Sequence, residues 1–226
     1  MVKYSIIIPT LDEEKNIAKV ISGIPLEIKH DAEIIVVDAS TDCTAEIARK
    51  LGAKVIGLPK IGKGYQMHAG VEAAKGEILI FMDGDGEHPP RYIPQLLAKL
   101  DECDIVLGAR SLSMCQNFAN LLYFTIAWRL YKILTRDAFR RAGLQINGDP
   151  FTGFRVLRRK TWYGLALQSV DFLLETEMNM KAAKLGLRIG EVPIPVAVRK
   201  EGLFKSRLFA NPRQYLKIMN YLNSEV

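Results

Sequence analysis

No run of apolar residues in this chain is long enough to cross a membrane. A spanning helix requires ~18–20 consecutive apolar residues. The best candidate, Phe118 to Trp128, extends 11 residues before Arg129 and Lys132 interrupt it. At ~1.5 Å per residue such a helix covers about half of a ~30 Å hydrocarbon core. The opening MVKYSIIIPT runs directly into a strand-like stretch, so no signal peptide is expected. Cysteine is scarce as well: Cys43, Cys103 and Cys115 form neither a CxxC pair nor an even set. That argues against a disulfide framework and for a reducing compartment with structural thiols. Internal repeats, low-complexity tracts and Pro/Gly/Ser linkers are also missing.

What is present is a chain of 226 residues, 49% hydrophobic, with a net charge of +6. It can bury roughly 70% of its unfolded surface, and one domain is expected across residues 1–226. The charge favours anionic partners, whether phosphates, nucleic acid or an acidic membrane, without choosing among them. Short β-branched runs recur at Ser5–Ile8, Glu33–Val37, Lys54–Ile56, Glu77–Phe81 and Asp104–Leu107. Continuous apolar runs suit strands covered on both faces, as in a parallel sheet. Helix-length segments separate them. Asp12 to Ile21 begins with an acidic cap, and Thr41 to Leu51 ends at Gly52. The alternation through about residue 110 predicts an α/β fold, an open, doubly wound, mostly parallel sheet with helices on both faces. Beyond it, helices are expected over 118–134 and 172–186, and a strand over 187–193. The C-terminal segment mixes Lys205, Arg207, Arg213 and Lys217 with Phe204, Leu208, Phe209, Tyr215 and Leu216. That pattern predicts an amphipathic helix lying at a membrane surface.

Two aspartates one residue apart follow the fourth strand, in Phe81-Met-Asp-Gly-Asp-Gly-Glu-His88. Crowded carboxylates oppose each other's ionisation. Period-2 spacing points Asp83 and Asp85 the same way in extended chain, with Glu87 repeating the interval. Hard oxygen donors suit Mg²⁺ or Mn²⁺ shared with a diphosphate; a Gly-rich turn using Asp for local hydrogen bonds is the alternative. Asp38 falls at the same carboxyl edge of the sheet, where open α/β folds bind ligands. An EF-hand would need glycine where His88 stands, and a dinucleotide fingerprint would need it at Met67. A P-loop is the closer rival, since Gly57 to Lys63 satisfies GxxxxGK. Gly64, however, replaces the Ser or Thr that holds Mg²⁺, and Pro59 has no N–H to offer a phosphate. His30, His68 and His88 read as ordinary core or surface residues.

Taken in order, Ser5–Glu14, Val36–Asp42, Gly62-Lys-Gly64, Met82–Pro90, Gly108-Ala-Arg110, Asp149–Arg155, Glu175-Thr-Glu177 and Gly190–Pro193 resemble the successive motifs of glycosyltransferase family 2. The nearest group is the polyprenyl-phosphate sugar synthases of the dolichol-phosphate mannose synthase type. The resemblance implies a GT-A fold, a UDP- or GDP-sugar donor, Mg²⁺ or Mn²⁺, and inverting transfer. It divides the chain into a nucleotide-sugar half, 1–110, and an acceptor-side half, 111–226. It places Pro9, Thr10, Leu11, Glu13 and Asp38 around the nucleoside, and Lys63 and Gly84 near the phosphates. Asp83, Asp85 and Glu87 become metal ligands, and Asp85, Arg110 and Glu177 catalytic groups. Arg110, Arg155, Glu175, Arg199 and Lys205 fall on the acceptor side. Two stretches depart from the family: Val36–Asp42 is one residue shorter, and 111–117 lacks an arginine that relatives carry.

The implied acceptor decides the chemistry. A polyprenyl phosphate is already an anion, needs no general base, and requires cations to position it. A hydroxyl acceptor requires a carboxylate base, for which Asp171, Glu175 or Glu177 could serve. The lipid reading is the expectation, at the cytoplasmic face of a membrane, with no nucleic acid. A non-catalytic nucleotide-sugar sensor is disfavoured by the basic and acidic sets downstream.

Overall fold

The computed structural model describes residues 2–59, 62–111, 140–141, 143, 146, 148–195 and 212–224. The helix expected over 118–134 lies outside these residues, as do Arg199, Lys205 and the 111–117 motif beyond Ser111. Strands β1 (Tyr4–Thr10), β2 (Ala32–Asp38), β3 (Lys54–Gly57), β4 (Ile78–Phe81), β5 (Ile105–Ser111), β6 (Arg155–Arg158) and β7 (Ile189–Pro195) form one sheet in the order β3-β2-β1-β4-β6-β5-β7. β6 alone runs antiparallel to its neighbours, β4 and β5. The helices are α1 (Ile17–Ser22), α2 (Leu26–Lys29), α3 (Thr44–Lys50), α4 (Lys63–Glu72), α5 (Ile93–Lys99), α6 (Arg159–Gly164), α7 (Leu174–Lys184) and α8 (Pro212–Ser224).

The strands are apolar on consecutive residues because both faces are covered. Ile6, Ile8, Val36, Ile80, Val106 and Val156 pack with Ile17 and Ile21 of α1 and Leu96 of α5. Their neighbours Ile7, Ile35, Val37, Leu79, Phe81, Ile105 and Leu157 face the other way, onto Met67 and Val71 of α4 and Met178 of α7. This is the doubly wound layering expected.

One local expectation is corrected, and two elements add to what was expected. α1 begins at Ile17, not Asp12, and its N-cap Asn16 makes no side-chain capping bond. Asp12 takes a left-handed φ of 55° and sends its carboxylate across to the Thr41 N–H at 3.0 Å. β6 was not expected, because only Val156 and Leu157 separate its terminal arginines. The C-terminal helix α8 turns Ile218 and Leu222 into a core with Leu173 and Met180. Ile218 and Leu222 are thus committed within the protein while Leu216 is exposed; Phe204, Leu208 and Phe209 of the expected amphipathic segment lie outside the described residues. Among the described residues no helix is long and apolar enough to cross a membrane.

Register brings the site together. Thr10 pairs with Asp38 at the carboxyl ends of β1 and β2, and Phe81 of β4 lies beside Ile7. Because β6 is antiparallel, its first residue, Arg155, sits between Phe81 and Leu107. The 149–154 turn therefore enters at the same edge where Asp83 and Arg110 leave.

Candidate active site

At the β1–β2 side, the ends of two strands are laced by side chains. Asp38 is buried, and its Oδ1 accepts from Thr10 Oγ1 and Ser40 Oγ, both at 2.6 Å. The Gln66 amide donates to Thr10 O and Val37 O, each at 2.8 Å, which ties α4 to both strands. The following loops cross-cap each other: Glu13 N–H donates to Thr44 Oγ1 at 2.9 Å and Glu14 N–H to Asp42 at 3.1 Å. Gly84 lies so close to β1 that a Cβ there would sit 2.6 Å from Thr10 Cγ2. Pro9, Thr10, Leu11, Glu13 and Asp38 thus share one corner of the edge.

In the centre stands Lys63, the first residue of α4. Its Nζ lies 2.7 Å from Asp83 Oδ1 and 2.7 Å from Glu175 Oε1 in the first turn of α7, and its side chain is 12% exposed. The flanking glycines permit this. A Cβ at Gly64 would fall 2.5 Å from the Val170 backbone, and Gly62 combines a φ of 150° with a contact of 2.6 Å to Val170 O. Residues 168–171 therefore close directly onto the start of α4, and Val170 O accepts from Tyr65 N–H at 3.0 Å. Glu175 Oε2 is buried without a hydrogen-bond partner among the described residues.

His88, read as ordinary from sequence, is buried beside Asp83. Its Nδ1 lies 3.4 Å from the Asp83 N–H and its Nε2 3.4 Å from Thr152 Oγ1. Gly153 adjoins the same carboxylate: a Cβ there would lie 2.5–2.6 Å from both Asp83 oxygens and from Lys63 Nζ. Both lie inside stretches that resemble family motifs, Met82–Pro90 and Asp149–Arg155, but neither is singled out there.

Burial pushes the Asp83 carboxyl upward, but the Lys63 ammonium outweighs it and lowers the carboxyl from 3.8 to about 2. A depressed carboxylate contributes stability above its ordinary value and loses it as pH falls through the folded value. Acid unfolding is therefore expected to steepen between about pH 4 and pH 2. Denaturant midpoints against pH should show that segment in the wild type and lose it in Asp83→Asn.

On the β5 side, Arg110 pairs through Nε with Asp149 and through Nη1 with Glu87 at 3.2 Å. Burial alone would lower the guanidinium pKa; Asp149 and Glu87 raise it instead. Two acceptor-side or catalytic expectations are corrected here. Arg155 is fully buried: it donates to Thr152 O at 2.8 Å, Pro150 O at 2.6 Å and Asn179 Oδ1 at 2.8 Å, so it builds the 149–154 turn instead of facing an acceptor. Glu177 is equally committed. Its oxygens accept from Gln168 N–H at 3.0 Å and Ser169 N–H at 2.7 Å, and Lys181 Nζ lies 2.7 Å away. Burial raises this carboxyl, yet those donors hold it below its usual value. It fastens the loop that covers Gly62 and Gly64.

Glu87 is also turned from its expected role. Its carboxylate pairs with Arg110, while its N–H donates to Asp85 Oδ1 at 2.9 Å, an Asp-centred turn. Among the described residues no three Asp, Glu, His or Cys groups converge on a metal position. Mg²⁺ characteristically takes one or two carboxylates and completes its shell with phosphate and water. Asp83 and Asp85 fit that donor chemistry, and the missing side chain at Gly153 leaves the Asp83 oxygens room.

Known proteins resemble this chain in sequence and in fold. Residues 5–162 match the family model described as Glycosyl transferase family 2. The chain is 31% identical to a dolichyl-phosphate hexose transferase of Haloferax volcanii, over 86% of this chain and 83% of that protein. It is 28% identical to a dolichol-phosphate mannosyltransferase of Pyrococcus furiosus, over 97% of this chain and 64% of that protein. Among solved structures, glucosyl-3-phosphoglycerate synthase of Mycobacterium tuberculosis, in complex with Mn²⁺, UDP and glucosyl-3-phosphoglycerate, has a TM-score of 0.74 at 23% identity. The match covers 99% of this chain and 79% of that one, and it establishes the GT-A fold.

Proposed function

The chain belongs to glycosyltransferase family 2, and from that premise we propose that it transfers a sugar from a UDP- or GDP-sugar to a polyprenyl phosphate. One observation carries the choice of acceptor. The three carboxylates expected as bases for a hydroxyl are each paired: Glu177 by Lys181 and two loop N–H groups, Glu175 through one oxygen by Lys63, and Asp171 by Lys217 and the Leu173 N–H. An acceptor that is already an anion needs none of them. The two dolichyl-type relatives point the same way.

In this reading residues 1–110 bind the donor. Pro9, Thr10, Leu11, Glu13 and Asp38 line the nucleoside, with Gly84 giving close approach to the phosphates. A Mg²⁺ or Mn²⁺ ion held by Asp83 and Asp85 would stabilise the charge that develops on the departing diphosphate. Lys63 adds a cation beside that leaving group. The acceptor half supplies Arg110, and beyond the described residues Arg199 and Lys205, to hold the lipid phosphate. An acceptor oxygen attacks the anomeric carbon as the sugar–diphosphate bond breaks and its electron pair leaves with the nucleotide, which inverts the centre. The acceptor's lipid places the reaction at a membrane surface, on the cytoplasmic side where nucleotide sugars are made available.

The test is a panel of UDP- and GDP-sugars with Mn²⁺, with and without dolichyl or undecaprenyl phosphate, scored for glycolipid. Glycolipid formation that survives Glu177→Gln is expected, because that substitution removes a loop fastening worth about 1–2 kcal/mol and no base. Removing a true general base would lower the rate ~10²–10⁴-fold. Glycosylation of a soluble alcohol, with lipid phosphate ignored, would reverse the assignment.

A further inference from the structure

We propose that Lys63 is an exchangeable internal cation: it and the divalent ion compete for Asp83, and the donor diphosphate decides the competition by giving Lys63 another anion. The inference rests on the donor reading above and extends it to how metal and nucleotide are coupled. Lys63 Nζ sits at 2.7 Å from both Asp83 Oδ1 and Glu175 Oε1, so it already neutralises the carboxylate assigned to the metal. An ammonium and a divalent ion on one carboxylate repel each other, so each weakens the other's hold on Asp83. The Lys63 backbone is fixed, since Gly62 and Gly64 abut the Val170 backbone. Its four-carbon stem is not, and lysine is a point charge on rotatable bonds. Gly153 lets the pair meet at all: a Cβ there would lie 2.5–2.6 Å from both Asp83 oxygens and from Lys63 Nζ, so no side chain on that turn pins the ammonium in place. Glu175, whose second oxygen has no partner among the described residues, is the tether that keeps Lys63 near once Asp83 is released.

The exchange makes bare metal bind weakly and makes metal and nucleotide bind cooperatively, each by the same factor for the other. Mn²⁺ binding to the full chain, followed by electron paramagnetic resonance without nucleotide and then with UDP or GDP, reads this directly. Lys63→Met is expected to bind bare Mn²⁺ about tenfold tighter than wild type and to lose about tenfold of the tightening that nucleotide brings. A lysine that merely contacts phosphate would leave bare-metal affinity unchanged. Glu175→Gln leaves Lys63 to Asp83 alone and is expected to weaken bare Mn²⁺ binding about tenfold. Because Lys63→Met strands two buried carboxylates, the double variant Lys63→Met/Glu175→Gln, which removes one charge of each sign, carries the same expectation if the single variant misfolds. Natively folded lysine variants that bind bare Mn²⁺ no tighter than wild type would overturn the proposal. A wild type that binds neither UDP nor GDP with metal would instead refute the donor reading, while the bare-Mn²⁺ comparison would still decide the exchange.

Discussion

Gly153→Ala is expected to cut transfer about 10²-fold while leaving the thermal midpoint nearly unchanged, on the rule that ~1 Å of misplacement costs that much. The two effects separate because of what the new methyl group meets. Its neighbours at 2.5–2.6 Å are Asp83 Oδ1 and Oδ2 and Lys63 Nζ, the far ends of rotatable side chains. They can swing aside at small cost to folding, and Gly153 does not occupy a left-handed conformation that alanine would resist. Swinging aside, however, moves the carboxylate assigned to the metal and the cation assigned to the leaving group. Steady-state kinetics with a thermal melt checks both halves. A variant with wild-type kcat/KM would show that Asp83 and Lys63 do not need their present positions.

Arg155→Met is expected to have the largest effect on stability, about 3–5 kcal/mol. That is the range for removing one member of a buried charged network, and a large part of the ~5–15 kcal/mol of a typical domain. The guanidinium is fully buried and serves Thr152 O, Pro150 O and Asn179 Oδ1. Methionine fills the volume but leaves these acceptors unsatisfied, each at a cost of about 1–3 kcal/mol. Burial draws the guanidinium down to about 10, so it stays charged at neutral pH. Arg155→Lys keeps a charge but only one bonding nitrogen, and should fall between the two. Urea midpoints rank the three proteins; equal midpoints would mean the turn holds without its arginine.

Arg155 also marks where reading the sequence stops. The five apolar runs were legible as strands because each buries both faces, and the run needs no partner to be seen. β6 was not, since four residues with arginine at both ends look like a polar motif; what makes them a strand is a gap between β4 and β5. The same blindness assigned Arg155 to an acceptor. A charge fully compensated by backbone carbonyls is indistinguishable, in sequence, from one awaiting a ligand. Glu177 fails alike, its donors being loop N–H groups eight and nine residues away. Asp83 and Lys63 do meet at one edge of the sheet, where strand ends converge in any doubly wound fold. Gly153 joined them only through the antiparallel entry of the 149–154 turn, whose Thr152 also meets His88.

That lone antiparallel strand also dictates an order of assembly. β3, β2, β1 and β4 are neighbours in space and complete by residue 81, so this half of the sheet can zip as it leaves the ribosome. β5, although made next, has no seat beside β4. Both of its partners, β6 and β7, are synthesised later, and Ile105–Leu107 must wait for Arg155–Leu157 before joining the rest. Such long-range closure is slow, because loop entropy is lost before pairing repays it. A nascent chain halted near residue 150 therefore holds a finished four-strand half-sheet next to an unpaired apolar strand, the stage at which this polypeptide most needs a chaperone.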